Sequence, residues 1–335
     1  MKKRILTTLL LLAVAGAASA QPEATPAKER ARGAAGVLLG EPPGATNPVQ
    51  ASAAERFAKA RTWLYQLQKL DPAAVAKSDF DILVTDPSRD GDDANWWDEG
   101  TVRTLQRGGR LVIAYLSIGE AEDYRGYWRK EWKKKPPRWL GPENPDWKGN
   151  YKVRYWDPDW QQVLLGPGGP LERLLARGYD GVYLDIVDAW EHWSDAEELS
   201  AEEAQRRMVA LVRRIATQAR AKRPGFLVIP QNAPEVAARK DLLDTISGLA
   251  LEDTFFMDDD RRRPKDTEHL LKLAAKVRAA GKPVLAVDYC RRRKLVDEFY
   301  RRAAAAGLVP YATVRALDRL TVDPGHAPPS RPDGG

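Results

Sequence analysis

Carboxylates and carboxamides recur in this sequence directly after short apolar runs. Asp86 closes FDILVTD (80–86), Ser117 and Glu120 follow LVIAYL (111–116), and Asp185 and Asp188 fall in YLDIVD (183–188). Gln231 and Asn232 follow FLVIP (226–230), Glu252 and Asp253 follow LAL (249–251), and Asp288 and Tyr289 follow VLAV (284–287). Each such residue alone is accounted for equally well as a helix cap, and Asp86, Asp188 and Asp253 are the first to be suspected of that role. A ring of them has a different meaning. Carboxylates gathered within a few Å repel unless a proton or a cation relieves them, so the site they form suits general acid/base work or the binding of positive charge. A divalent cation held by Asp, Glu and Asn oxygens is the competing chemistry. Other chemistries are poorly served. The three histidines (His192, His269, His326) lie far apart, the only cysteine is Cys290, and no GxxxxGK[ST] phosphate loop is present. Aromatic residues crowd the same segments, among them Tyr65, Tyr115, Trp190, Trp193 and Tyr289. Flat amphipathic rings in a cleft stack well on sugars. Packing accounts better for Trp132, Trp139 and Trp160, whereas Trp190 and Trp193, just beyond Asp185, are placed to meet a ligand.

Two facing carboxyl groups, stacking rings and no nucleophile–histidine pair together point to glycoside hydrolysis. That chemistry requires a scaffold holding the acids at one mouth. Eight apolar runs supply strand candidates, at 63–66, 80–85, 111–116, 181–186, 226–230, 248–251, 283–287 and 308–313. Most lack polar alternation, as expected for parallel strands covered on both faces. Helical patterns lie between them; 202–222 is long and amphipathic and stops at Pro224-Gly225. Strand–helix alternation repeated eight times predicts a single-domain α/β fold, a (β/α)₈ TIM barrel, whose reacting groups sit at the C-terminal strand ends. An open doubly wound sheet is the runner-up, but no GxGxxG turn follows the first strand.

The ends of the chain read differently. Residues 1–20 carry Lys2-Lys3-Arg4, an apolar core from Ile5 to Val14 and a small-residue site at Ala18-Ser19-Ala20, the pattern of a secretory signal peptide. Residues 21–55 read as a disordered linker, 56–322 as the catalytic domain and 323–335 as a disordered tail. The expected location is therefore secreted or periplasmic. The 53 Lys and Arg against 47 Asp and Glu give a net charge of +6, and losing the three N-terminal cations would leave +3. That surplus is too thin for a nucleic-acid binder, and no later stretch is apolar enough for a membrane span. A monomer without cofactor or metal is expected.

Several strings resemble a known family. YQLQ (65–68), FDILVTD (80–86), VIAYLSIGEAEDYRGYW (112–128), WKGNYKVRYWDPDWQ (147–161), YDGVYLDIVDAW (179–190) and ALEDTFF (250–256) are similar to glycoside hydrolase family 114, the endo-α-1,4-polygalactosaminidases and related glycosidases. The resemblance runs in order from about Trp63 to about Asp318. It implies a (β/α)₈ barrel that cleaves α-1,4-linked galactosamine-containing exopolysaccharide. It also implies two catalytic carboxylates, Asp185 after strand four and Glu252 after strand six. Deacetylated polymer bears ammonium groups that an acidic ring would complement. Asp86, Tyr115, Glu120, Asp188, Trp190, Asn232, Asp288 and Tyr289 are the candidate substrate-binding residues. Asp185 is read as general acid/base and Glu252 as nucleophile. A polysaccharide-binding barrel without activity and a metal-dependent hydrolase are the alternatives.

Overall fold

Apolar residues dominate eight short segments, and each forms a parallel strand in the computed structural model, which describes residues 51–196 and 198–330. The strands are β1 (Trp63–Tyr65), β2 (Ile82–Thr85), β3 (Leu111–Ser117), β4 (Gly181–Asp185), β5 (Leu227–Pro230), β6 (Leu249–Glu252), β7 (Val284–Asp288) and β8 (Val309–Ala312). Parallel ladders join β1 to β5 in sequence order and β6 to β8 likewise. A single parallel bridge, Gln231 to Ala250, links β5 to β6, and the indole Nε1 of Trp63 donates to the Val309 carbonyl at 3.0 Å across β1 and β8. The result is a (β/α)₈ barrel whose last seam is closed by a side chain. The expected signal peptide, the linker up to residue 50 and residues 331–335 lie outside the described residues.

Register determines which side chains fill the barrel. Tyr115 pairs with Tyr183 and Ser117 with Asp185 across β3 and β4, and Tyr183 pairs with Ile229 on β5. Paired residues of parallel neighbours share a face, and alternation along each strand does the rest. Trp63, Tyr65, Tyr183 and Tyr311 therefore meet inside, with ring centroids 5.1–6.4 Å apart. This aromatic floor plugs the barrel beneath its C-terminal mouth. Asp185 lies two residues past Tyr183 on β4, and Glu252 two past Ala250 on β6, so both carboxyl groups point inward above the floor.

Helices cover the outside. Ala201–Lys222 starts at Ser200, whose hydroxyl accepts the Glu203 N–H at 3.2 Å. It buries Met208, Leu211, Val212, Ile215 and Ala219 along one stripe and ends before Gly225, at φ +80°. The first helix, Ala53–Lys59, begins at a Ser52–Glu55 capping box, inside the stretch read as linker. At the other end Asp323 and His326 are docked. The imidazole of His326 stacks on Tyr300 at 4.0 Å and bonds Asp297 at 2.8 Å, and the Tyr300 hydroxyl donates to Asp323.

The β3–β4 connection, residues 118–180, holds a small antiparallel sheet that the strand pattern did not reveal. Asn150–Val153 lies between Glu120–Glu122 and Leu140–Glu143. Trp132, Trp139 and Trp160 pack behind it with centroids 5.0 Å apart, as their packing role required. Trp193 joins them: it is 2% exposed, and its Nε1 donates to the Val153 carbonyl at 2.8 Å. It holds the inserted sheet against the β4 helix and does not face a ligand, contrary to expectation.

Candidate active site

The end of β4 turns sharply at Ile186, φ +57°, a left-handed conformation that costs a β-branched residue energy. The turn brings the Ile186 N–H to 2.8 Å from Asp185 Oδ1. The Tyr115 hydroxyl donates to Asp185 Oδ2 at 2.6 Å. Two donors fix this carboxylate, and both lower its pKa. Burial outweighs them and, with the Glu120 and Glu122 charges adding, the Asp185 carboxyl is raised to about 6.

Strands β5 and β6 end in the same way, at Asn232 (φ +54°) and Asp253 (φ +51°). Asn232 turns its amide onto Glu252. Its Nδ2 donates to Glu252 Oε2 at 2.6 Å and its Oδ1 accepts the Glu252 N–H at 2.9 Å. The Tyr289 hydroxyl donates to Glu252 Oε1. Burial raises the Glu252 carboxyl to about 7, and the charges of Asp185 and Asp253 push the same way. Strands β4 and β6 are separated only by β5, roughly 10 Å between backbones. The two carboxyl groups thus face one mouth, and the Asp185 charge helps hold the proton on Glu252.

The remaining candidates divide. Tyr115, Asn232 and Tyr289 orient the pair, so Asn232, read as a sugar ligand, spends its amide on Glu252. The Asp188 side chain lies beside Asp185 without a hydrogen bond among the described residues, and burial with the Asp185 and Glu191 charges raises it to about 8 against the opposing charge of Lys152. Trp190 is half-buried on the helix that starts after Asp188. Glu120 is fully buried. Its Oε1 accepts from Asn144 Nδ2 at 2.8 Å and from Lys152 Nζ, which leaves it neutralised by the protein. Asp86 and Asp288 are engaged by the protein itself. Asp86 takes a bidentate grip from Arg125 at 2.9 and 2.7 Å, and Arg125 in turn holds Glu122 at 2.7 Å. Asp288 points away from the interior and accepts three backbone N–H groups, from Thr254, Phe255 and Phe256, at 2.7–2.9 Å. It anchors the loop that follows Glu252.

Three cations in these networks escaped the sequence reading. Arg125 and Lys152 lie in strings already singled out; Arg125 is the one cation of its string, a contrast that was the available signal, whereas Lys152 has Lys148 and Arg154 beside it. Arg315 follows β8, where no acid marks the strand end, and nothing local announced it. Among the described residues no group of three or more His, Cys, Asp or Glu side chains is arranged to hold a metal ion.

Similarity to known proteins agrees with this geometry. Residues 44–326 match the profile of glycoside-hydrolase family GH114. The chain belongs to that family. Relatives within reach are themselves uncharacterized proteins. One from Deinococcus radiodurans is 37% identical over 329 residues, covering 96% of this chain and 99% of its own. One from Methanocaldococcus jannaschii is 38% identical over 274 residues, 77% of each chain. Among solved structures the fold is similar to the glycoside hydrolase domain of PelA from Pseudomonas aeruginosa, with a TM-score of 0.63 and 22% identity. That similarity covers 78% of this chain and 98% of the PelA domain. The GH114 chain is a glycoside hydrolase with the TIM-barrel fold, as the sequence strings implied.

Proposed function

We propose that this GH114 chain cleaves α-1,4-linked galactosamine-containing exopolysaccharide, with Glu252 and Asp185 as the catalytic residues. One observation carries the proposal: two inward carboxyl groups on β4 and β6, each oriented by a tyrosine hydroxyl and each raised by burial, stand above one aromatic floor.

The environments favour a division of labour. Glu252, raised to about 7, keeps its proton longer and donates it to the departing glycosidic oxygen. Asp185, raised to about 6, ionises first and is the anionic partner. It attacks the anomeric carbon, or takes the proton of the water that does. Water supplies the hydroxyl to the new reducing end and a proton that restores the acid. The sequence reading has the two roles the other way round, with Asp185 as general acid/base and Glu252 as nucleophile.

The substrate class is supported by the family strings and by the charge of the mouth. Asp188 lies beside Asp185 and shares the charge of Lys152 with Glu120, so an ammonium group on the sugar ring would find an acidic partner there. Trp190 offers a partly open ring next to it. The export segment read at residues 1–20 agrees with a polymer met outside the cytoplasm.

The test is incubation of the purified protein with deacetylated and with N-acetylated galactosamine polymer, followed by mass analysis of the products. Shortened oligomers with new reducing ends are expected, more abundant from the deacetylated polymer. Intact polymer in both incubations, with glucosamine or neutral polymers cleaved instead, would overturn the substrate assignment.

A further inference from the structure

The loop after β8 places one guanidinium against three segments that converge on Glu252. Arg315, only 10% exposed at its side chain, pairs with both oxygens of Asp253, at 3.1 and 2.8 Å. Its Nε bonds Asp258 at 3.1 Å, in the hairpin of Phe256–Met257 with Asp260–Arg261. Its carbon Cζ lies 4.3 Å from the ring centroid of Tyr289. Asp253 follows Glu252 directly and holds a left-handed backbone, and Tyr289 donates its hydroxyl to Glu252. The same cation therefore fixes the residue after the acid, the hydrogen-bond donor to the acid and the hairpin beyond it.

We infer that Arg315 is a positioning residue for the glycosidase reaction, acting on Glu252 through Asp253 and Tyr289. Its role has two physical parts. Geometrically, a planar fork can hold a carboxylate and stack on a phenol at once, which a lysine ammonium cannot do. Electrostatically, it neutralises Asp253, whose charge otherwise favours the protonated form of Glu252. Arg262 also faces Asp253, donating to its carbonyl at 2.8 Å, but makes no bond to its carboxylate. The other groups facing Glu252 are Asp185 and Tyr183 from β4, Tyr65 from β1, Asn232 after β5 and Tyr289 after β7. None of them carries a positive charge, so Arg315 is the cation that sets the balance from the β8 side.

The inference rests on Glu252 being the proton donor, and its test separates the two. In Arg315→Met, Asp253 is left unpaired, so the Glu252 carboxyl is expected to titrate about one pH unit higher. Infrared difference spectra between acid and alkaline buffer, referenced to Glu252→Gln, read that shift with no substrate present. On a cleaved polymer the same variant is expected to lower kcat by ~10–100-fold with KM changed less than ~3-fold, and to move the alkaline limb upward. Arg315→Lys keeps the charge and should restore the titration but not the full kcat. Arg315→Met with Asp253→Asn should cancel the shift. If Arg315→Met does not fold, Arg315→Lys and Asp253→Asn carry the test, the latter expected to lower the Glu252 titration. An unchanged Glu252 titration in folded Arg315→Met, or in Asp253→Asn where it stands in for that variant, would overturn the inference, as would a kcat loss from Arg315→Met that is as large in the Tyr289→Phe background as in the wild type. A titration shift together with no cleavage of any galactosamine polymer would uphold it and reject the substrate assignment.

Discussion

A tyrosine hydroxyl and a second donor hold each of the two inward carboxyl groups, and these four contacts offset part of the larger effect of burial on their protons. With Asp185 required as anion and Glu252 as acid, kcat/KM should follow a bell, rising through about pH 6 and falling through about pH 7. Both tyrosines hydrogen-bond the ionised form and so lower the pKa of their partners. Tyr115→Phe should therefore move the rising limb to higher pH, and Tyr289→Phe should move the falling limb to higher pH. Each substitution removes one charge-assisted bond, worth ~1.5–3 kcal/mol, so a displacement of about one unit or more is expected. Rate profiles of the two variants check this. Limbs that stay in place would mean that neither carboxyl is the titrating group.

At the scale of elements, strand ends decide where the carboxyl groups point. Gly119 follows β3, where an added Cβ would lie 2.1 Å from the Ile186 carbonyl and 2.6 Å from Ala189 Cβ. The turn that aims Asp185 thus leaves room for no side chain at 119. Gly119→Ala is expected to displace that turn, to cost ~1–3 kcal/mol of stability and to lower kcat at least ~10-fold. Thermal melts and initial rates measure both. Asp288→Ala leaves three buried N–H groups unpaired, and hydrogen exchange at Thr254–Phe256 should accelerate by at least ~10-fold while β2 and β3 stay protected. Unchanged exchange there would show that the loop has another anchor. The eight strands were legible because each is a continuous apolar run, and Asp185 and Glu252 because each ends one. The inserted sheet was not, since its strands are short and mixed, as in Leu140–Glu143 and Asn150–Val153. Nor could the pattern tell Asp86 from Asp185: both end strands, and only the distant Arg125 makes the first structural. Arg315 and Asn232 act across long separations, which periodicity does not encode.

For the whole molecule, the buried carboxyl groups are a cost to folding that grows with pH. Asp185, Glu252, Asp288 and Asp188 are raised to about 6, 7, 7 and 8. Between the ordinary carboxylate range, near pH 4, and those values the native state binds more protons than the unfolded chain. Stability therefore falls as pH rises through that window. Surface carboxylates with lowered pKa, such as Asp241 and Asp318, act in the opposite sense and lose their contribution at acid pH. The melting temperature should then be higher at about pH 5 than at about pH 8, and Asp188→Asn should flatten the decline. A flat or rising profile would show that these groups are ionised and relieved in the folded chain. The proposed catalysis stands on Asp185 and Glu252 sharing one bond-breaking event. Its most direct test is reducing-end release from deacetylated galactosamine polymer by Asp185→Asn and Glu252→Gln, each verified as folded. Both should fall by ~10²–10⁴-fold or more, with little further loss when combined. Near-wild-type turnover in either variant would contradict it.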